Sequence, residues 1–218
     1  MEYGRNDMPQ SRNRILIVLG LVAFGMAMRV LPYVLQRFGL VSLTDPSTFI
    51  WNVSPVPAIC MLFGAYLSSR GTRWTGLAIG IVAYFASDLL IALVTGYPEY
   101  AFYKTLPFVY AGFMIHGLMG LTLHGRSQPV RLGLTVVASE LVFWLITNFG
   151  EWAIGDMRYA KTPAGMMSCY VAAIPYLYRS IYGTLIYSAI LFEAARIAER
   201  RTIESNLVLA PVPTENRP

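Results

Sequence analysis

Charged residues are scarce in this sequence. Asp, Glu, Lys and Arg make up 13% of its 218 residues, whereas a soluble domain carries about 25%. Hydrophobic residues make up 56%, and they form long runs separated by short charged, Pro or Gly clusters. A soluble protein of this composition would expose extended apolar surface. The pattern predicts an all-α, multi-pass membrane protein.

Motifs that support catalysis or metal binding are also missing. There is no GxxxxGK[ST] phosphate loop, no HExxH or GxSxG motif, and no Cys/His spacing typical of a metal site. Cys60 and Cys169 lie in apolar surroundings, which predicts two buried thiols. We therefore expect no enzymatic activity, no cofactor and no metal. The basic residues behind the net charge of +5 flank apolar runs, so nucleic acid is not an expected partner.

Six apolar segments have about the 20 residues that a membrane-spanning helix needs. They cover residues 14–36, 54–69, 74–96, 105–123, 129–150 and 178–197. Ser54, Thr105 and Gln128 each stand shortly before a proline at a segment start, which is typical of helix N-termini. Residues 1–201 are thus predicted to form one six-helix transmembrane domain. Residues 202–218 lack a capped helical pattern, and we predict a disordered cytoplasmic tail.

Of the 17 Lys and Arg residues, Arg29 lies inside a span, and the other 16 are unevenly divided between the two ends of these segments. One set of ends carries Arg5, Arg12, Arg14, Arg70, Arg73, Arg126, Arg131, Arg196, Arg200, Arg201 and Arg217. The opposite set carries only Arg37, Lys104, Arg158, Lys161 and Arg179. Because basic loops tend to stay in the cytoplasm, this bias predicts that both termini are cytoplasmic.

A cleaved signal peptide is an alternative interpretation of the N-terminal segment. Arg12 and Arg14 precede the apolar run 15–28, and small residues lie near the end of that run. Cleavage would leave five spans and place the new N-terminus outside. The apolar character resumes after Arg29 with VLPYVLQ, which favours a spanning helix over a mature N-terminus.

The second span is predicted to be broken. In DPSTFIWNVSPVPAICMLFGAYLSSR, the prolines leave about 15 residues for a helix, or roughly 22 Å, against a hydrocarbon core of about 30 Å. The preceding FIWNVS is therefore expected to enter the membrane region as irregular backbone. Such backbone is tolerated only where protein buries it or where it lines a cavity, and in the second case Asn52 is a candidate solute contact.

The segment KTPAGMMSCYVAAIPY, between the last two spans, is too short to cross a membrane. It begins with Thr162-Pro163, a helix-start signal, and stops at Pro175. We predict a short extra helix here, within residues 156–177, which lies over the outer face or dips into it and acts as a lid.

Polar side chains from different spans reach a similar depth when residues are counted at about 1.5 Å each. The residues predicted to bind a solute near the outer face are Asp88, Asn148, Trp152, Tyr110, Asn52, Tyr170 and Arg179. The alternative is structural, because an intramembrane acid such as Asp88 is also stable when it pairs with Arg29 or Arg179.

Two further polar residues lie deeper in the spans. Glu140 is either a proton site or the partner of a neighbouring helix, and the sequence does not decide between them. His116 is either a buried histidine with satisfied hydrogen bonds or a ligand-binding residue. Both interpretations depend on what these side chains face.

Four stretches resemble a family of small bacterial membrane proteins of unknown function: SPVPAICMLFGAYL, SDLL, LITNFGEWAIG and CYVAAIPYLYRSIYGTLIYSAILF. The shared pattern is an SD pair, TNFxxW at the end of a span, and CYxAAIP before the last span. The chain departs from it at Ser180 and Thr184, which replace a polar and an acidic residue. That family is similar, more distantly, to the substrate-binding S components of energy-coupling factor (ECF) transporters.

The resemblance implies six helices in a bacterial cytoplasmic membrane and uptake of a small vitamin-like solute, with energy from separate ATPases. Ala23 and Ala27 are similar to the AxxxA pair with which S components dock their transmembrane partner. The expected partners are thus the solute, the lipid bilayer and a coupling subunit. The alternative function is a non-transporting membrane scaffold or assembly partner, whose intramembrane polar residues only hold helices together.

Overall fold

The computed structural model describes residues 7–42, 53–67, 73–123, 128–156 and 158–208. All regular secondary structure in these ranges is helical, which confirms the predicted helical class. The helices are α1 Asp7–Arg37, α2 Val56–Leu67, α3 Arg73–Thr95, α4 Leu106–Gly120, α5 Pro129–Ile154, α6 Pro163–Ala172 and α7 Ile174–Val208. Short 3-10 turns lie at Pro98–Tyr100 and Leu121–Leu123.

Five of the described helices contain stretches long and apolar enough to cross a membrane. These stretches are Leu16–Arg37, Leu77–Thr95, Leu106–Leu123, Pro129–Ile154 and Ile174–Ala198. The chain is therefore a multi-pass membrane protein. The helix α2 is apolar but has 12 residues, or about 18 Å, which is shorter than a regular span.

The helix α2 forms the core of the bundle. Residues 55–64 are all buried, and α2 packs against α1, α3, α4 and α7. Glycines permit the close approach of α2 to α4, because a Cβ on Gly64 or Gly120 would overlap the backbone carbonyl of the facing helix. Small residues at helix contacts are typical of membrane bundles. Protein surrounds α2 on several sides, so α2 need not match the thickness of the lipid.

Local hydrogen bonds explain where two of the helices begin. The Ser54 hydroxyl accepts a bond from the Val56 N–H at 3.3 Å, directly before α2. The Thr162 hydroxyl accepts one from the Gly165 N–H at 3.2 Å, at the start of α6. Both bonds satisfy backbone donors that have no partner within the first helical turn. The short extra helix predicted before the last span is thus present.

Two boundaries differ from the prediction. The last helix begins at Ile174 instead of residue 178, because Pro175 fits the first turn of a helix. It also continues through residues 202–208, which the sequence pattern assigned to the tail. Residues 209–218 lie outside the described residues, as do residues 43–52.

One end of the bundle gathers the ends of α1, α3 and α5 and the starts of α4 and α7. Arg37 on α1 donates to the Val94 carbonyl on α3 at 2.8 Å. Lys104, before α4, lies 3.1 Å from Asp156, after α5. We call this the cavity end, because a cavity of about 540 Å³ opens there.

Candidate functional site

A cavity of about 540 Å³ opens at the cavity end, between α4, α5, α6 and α7. Its walls are formed by Tyr103, Lys104, Thr105, Asn148, Glu151, Gly155, Asp156, Arg158, Tyr159, Cys169, Ala172, Ala173 and Tyr176. Small-molecule sites usually measure about 300–1,000 Å³. The cavity therefore has room for a vitamin-sized solute, and its walls combine aromatic, polar and charged groups.

The helix α6 closes one side of this cavity and is held to α5 by side chains. The Tyr170 hydroxyl donates to the Leu145 carbonyl at 2.8 Å, and its ring packs edge-on against Trp144. The Cys169 thiol contacts the Asn148 carbonyl at 3.5 Å. These contacts place α6 over the end of α5, where the predicted lid was expected.

Asn148 and Glu151 lie about one turn apart on α5 and both line the cavity. The Asn148 amide donates to the Trp144 carbonyl at 2.8 Å, which orients the side chain along its own helix. Glu151 is half-buried, and no described residue forms an ion pair or a hydrogen bond with its carboxylate. An uncompensated carboxylate in a confined space is a suitable contact for a cationic group.

The rim of the cavity carries three more charges. Lys104 and Asp156 form an ion pair at 3.1 Å, with side chains 69% and 82% exposed. A pair so exposed contributes little to stability, so a ligand can displace it at low cost. Arg158 also lines the cavity, and within the described ranges it has no ion-pair partner.

Trp152 fixes the loop that follows α5. Its indole N–H donates to the Ala160 carbonyl at 3.0 Å, and the Lys161 ammonium donates to the Trp152 carbonyl. The Lys161 nitrogen also lies 5.9 Å from the centre of the Trp152 ring. Trp152 thus shapes the loop that supplies Asp156 and Arg158 to the rim.

Two wall groups are neutral at ordinary pH, and burial strengthens this preference. It raises the pKa of the Tyr103 hydroxyl, and the nearby Tyr84 and Asp88 raise that pKa further. Burial also raises the pKa of the Cys169 thiol, with the negative charge of Glu151 as the second cause. Tyr103 therefore remains a hydroxyl that can donate a hydrogen bond, and Cys169 remains a thiol.

Asp88 lies outside this cavity, in a separate buried cluster with Arg29. Asp88 Oδ1 is 2.5 Å from Arg29 Nη2, in an ion pair that lacks the angles of a hydrogen bond. The Tyr110 hydroxyl donates to Oδ2 at 3.1 Å. Arg29 also donates to the Ser87 hydroxyl at 2.5 Å and lies over the Tyr84 ring, 3.7 Å from its centre.

The sequence predicted that Asp88, Tyr110 and Asn148 meet in one site, but the structure does not bring the three side chains together. Asn148 lines the cavity, whereas Asp88 and Tyr110 belong to the Arg29 cluster. The pairing of Asp88 with Arg29 is the structural alternative that the sequence left open. Tyr103 connects the two regions, because it lines the cavity and its hydroxyl interacts electrostatically with Tyr84 and Asp88 of the Arg29 cluster.

The remaining predicted site residues take other positions. Trp152 and Tyr170 hold the walls in place through their hydrogen bonds without lining the cavity. Arg179 is half-buried on α7 and is not part of the cavity lining. Asn52 lies outside the described residues.

Several wall residues were not predicted as site residues: Tyr103, Lys104, Thr105, Asp156, Arg158, Tyr159 and Tyr176. Except for Tyr176, they lie in or beside the connections between helices, whereas the prediction considered mainly polar groups inside apolar runs. The one sequence feature that could have indicated these residues is their position next to the ends of spans. The YKT and GDMRY segments adjoin span ends that the alternation of helices brings to the same side.

The sequence was also compared with protein families, with curated proteins and with solved structures. A model of a family of unknown function, DUF6580, matches residues 9–207. The chain belongs to this family. The match covers the five long apolar stretches, α2 and α6, so the cavity is built from residues within the family region. No curated protein and no solved structure matches the chain.

Proposed function

We propose that this DUF6580 protein binds a small solute in the cavity between α4, α5, α6 and α7 and serves its uptake across a bacterial cytoplasmic membrane. The observation that carries the proposal is the cavity itself. It measures about 540 Å³, and charged and aromatic groups line it at one end of an apolar helical bundle. Concave sites with a few convergent polar groups are the usual form of small-molecule sites.

The charges of the walls indicate the chemistry of the solute. Glu151 is available for a cationic group and Arg158 for an anionic one, since neither has an ion-pair partner within the described ranges. Tyr103 and Tyr176 add aromatic surface. A zwitterionic solute with an amine, a carboxylate and a ring or apolar body fits these groups best, and this class includes vitamin-like molecules.

The cavity opens outward if both termini are cytoplasmic, as the distribution of basic residues favours. Six crossings are then required, with α2 and the irregular segment before it as the second. Reporter fusions at the C-terminus and at residue 98 test this topology. A reporter that is active only outside the membrane should work at residue 98 and fail at the C-terminus, and the reverse result excludes an outward cavity.

An arrangement similar to ECF S components accounts for energy supply. The sequence has no phosphate loop, so hydrolysis of ATP would occur in separate subunits. Ala23 and Ala27 are exposed on α1, which leaves this small-residue face accessible to the helix of a coupling subunit. Co-purification of endogenous partners with the wild-type protein, compared with an Ala27→Leu variant, tests this part of the proposal.

The second candidate function is a membrane scaffold without transport. It is favoured by the internal pairing of intramembrane charges, because Arg29 pairs with Asp88 and His116 contacts Glu140 at 3.1 Å. Polar residues that satisfy each other inside a bundle hold helices together whether or not a solute binds. The two candidates therefore differ in whether the cavity has a specific occupant.

A thermal-stability screen separates them. Purified protein is heated with panels of zwitterionic, cationic, anionic and neutral solutes of vitamin size. A bound solute should raise the melting temperature of the wild type, because ligands that bind only the folded state stabilise it. Glu151→Gln should lose this rise. Glu99→Gln, which changes an exposed glutamate outside the cavity, should keep it. Stabilisation that is equal in both variants, or absent with every panel, favours the scaffold.

A further inference from the structure

His116 and Glu140 form a buried polar pair between α4 and α5. Their side chains are 0% and 1% exposed, and His116 Nε2 lies 3.1 Å from Glu140 Oε1. The rings of Phe113 and Phe143 pack against the imidazole. The cavity and the Arg29 cluster do not include this pair, so its chemistry requires a separate explanation.

The hydrogen bonds assign the protons of the pair. His116 Nδ1 faces the Gly112 carbonyl at 3.1 Å, and a carbonyl can only accept, so Nδ1 carries a hydrogen. The carboxylate of Glu140 accepts from the Ser180 hydroxyl at 2.7 Å and from the Thr184 hydroxyl at 2.6 Å. The 3.1 Å contact between Nε2 and Oε1 is then favourable only if one proton lies between them.

Loss of this proton would change the charge of a buried site. With the proton, the pair is neutral overall, either as imidazole with carboxylic acid or as imidazolium with carboxylate. Without it, a carboxylate faces the lone pair of a neutral imidazole inside an apolar bundle, which is strongly unfavourable unless water reaches the site. The pair therefore binds one proton whose release depends on access of water.

Two helix faces lead from this pair to the cavity. On α7, Tyr176 lines the cavity and precedes Ser180 by four residues, or one turn. On α5, Asn148 lines the cavity and lies two turns from Glu140, with Trp144 between them. The Trp144 indole N–H is buried without a hydrogen-bond partner among the described residues, which marks a position where water can bridge.

Other titratable groups lie on the helices that neighbour the pair, among them Cys60, Tyr176 and Arg179. Cys60 on α2 has its sulfur beside Gly80. Tyr176 lies at the cavity, and Arg179 on α7 is half-buried. Within the described ranges, none of these three forms an ion pair or a hydrogen bond with His116 or Glu140. The proton thus responds chiefly to the carboxylate, the imidazole and the two hydroxyls.

We infer that His116 and Glu140 form an exchangeable proton-binding site that equilibrates with the cavity through the faces of α5 and α7. A hydronium ion from the cavity delivers the proton to the Nε2–Oε1 contact, and water accepts it on release. This site exists whether or not the cavity binds a solute, so it is tested independently of the proposed function.

The test uses full-length protein in lipid nanodiscs, labelled with ¹⁵N-histidine, in a His124→Gln background that leaves His116 as the only histidine. Its two ring-nitrogen signals are followed by NMR from about pH 5 to about pH 9.5, across the range where histidine titrates. We expect the Nε2 signal to change with pH, because its proton exchanges with water, while the Nδ1 signal stays that of a protonated nitrogen. Signals that stay constant over the range, with the protein folded, would show a fixed structural proton and overturn the inference.

Two conservative variants test whether the assigned hydrogen bonds control binding of the proton. Thr184→Val removes a donor that stabilises the carboxylate, so the proton should be held more tightly and the midpoint should rise by about one pH unit. Thr147→Val is the matched control, because among the described residues Thr147 bonds only to carbonyls of its own helix, and it should leave the midpoint unchanged. Equal midpoints in both variants contradict the assigned hydrogen bonds.

The route is tested by filling the cavity. Ala172 lines it from α6, so Ala172→Trp places a large side chain there. After a rapid pH jump, the carboxyl infrared band of Glu140, identified by its loss in Glu140→Gln, should change several-fold more slowly in Ala172→Trp than in the wild type. An unchanged rate shows that the proton takes another path and overturns exchange through the cavity.

Discussion

Arg29 Nη2 lies 2.5 Å from Asp88 Oδ1, and this ion pair joins α1 to α3 inside the bundle. Asp88 is 1% exposed, and Arg29 stacks over the Tyr84 ring. A charged carboxylate in an apolar bundle requires such a partner. The pair therefore stabilises the helix interface, and Asp88 is not available to a solute in the cavity.

Replacing Asp88 should destabilise the protein strongly. Asp88→Asn leaves the Arg29 guanidinium buried without its counter-charge, and breaking a buried pair in this way costs about 3–5 kcal/mol. Unfolding in detergent, followed by circular dichroism during denaturant titration, measures the loss. Tyr110→Phe removes one hydrogen bond to the same carboxylate and should cost about 1 kcal/mol. A loss in Asp88→Asn as small as in Tyr110→Phe would contradict a stabilising pair.

Gly120→Ala should destabilise the contact between α2 and α4. The added Cβ would overlap the Met61 carbonyl, which belongs to rigid helix backbone, and overpacking of this kind costs about 1–3 kcal/mol. Gly133→Ala is the matched control on α5, because its Cβ meets nothing within 4 Å and alanine favours helix by up to about 1 kcal/mol. The melting temperatures of the two variants should move in opposite directions. A fall of equal size in both would show that the packing argument is wrong.

The helix α6 should open more readily than the long helices. Its attachment to α5 rests on few contacts, among them the Tyr170–Leu145 hydrogen bond, so local opening requires little energy. Hydrogen exchange should be faster in residues 156–177 than in the long apolar stretches. Tyr170→Phe should accelerate exchange in Pro163–Ala172 by roughly three- to tenfold, as expected for the loss of about 1 kcal/mol. Exchange as slow as in α5 would make α6 a fixed structural element.

The Cys169 thiol should react slowly at neutral pH and faster as pH rises. Its pKa is raised by burial and by the charge of Glu151, and only the thiolate reacts with alkylating agents. In a Cys60→Ser background, the alkylation rate should increase about tenfold per pH unit until the raised pKa is passed. Glu151→Gln removes the negative charge, lowers the pKa and should accelerate alkylation at pH 8. Glu99→Gln is the control, and an equal rate in the two variants would contradict the link between Glu151 and Cys169.

The helices were largely predictable, because apolar runs and proline-containing starts leave clear signals. Thr162-Pro163 correctly indicated the start of α6, and the prolines around Ser54 correctly indicated a short α2. The end of α7 was not predictable in the same way. Residues 202–208 mix polar and apolar side chains without a capping pattern, and their helix continues from the apolar stretch before them.

The site was predictable only in part, because residue counting gives depth and not direction around the helix axis. Asp88 and Asn148 reach a similar depth, but Asp88 faces Arg29 while Asn148 faces the cavity. Arg29 is 59 positions from Asp88 in the sequence, and no local pattern links them. Tyr103 and Arg158 were missed because they lie in connections between spans. Such connections have no hydrophobic periodicity from which the direction of a side chain can be inferred.

The most direct test of the proposed solute site is native mass spectrometry of protein extracted gently from its own membrane. Solute binding predicts that the wild type retains a small molecule, that Glu99→Gln retains it too, and that Glu151→Gln and Asn148→Ala lose it. Asn148→Ala should remain folded, because Asn148 bonds to its own helix at Trp144. A wild-type protein that carries only lipid, or the same added mass in all four proteins, would contradict a solute site in this cavity.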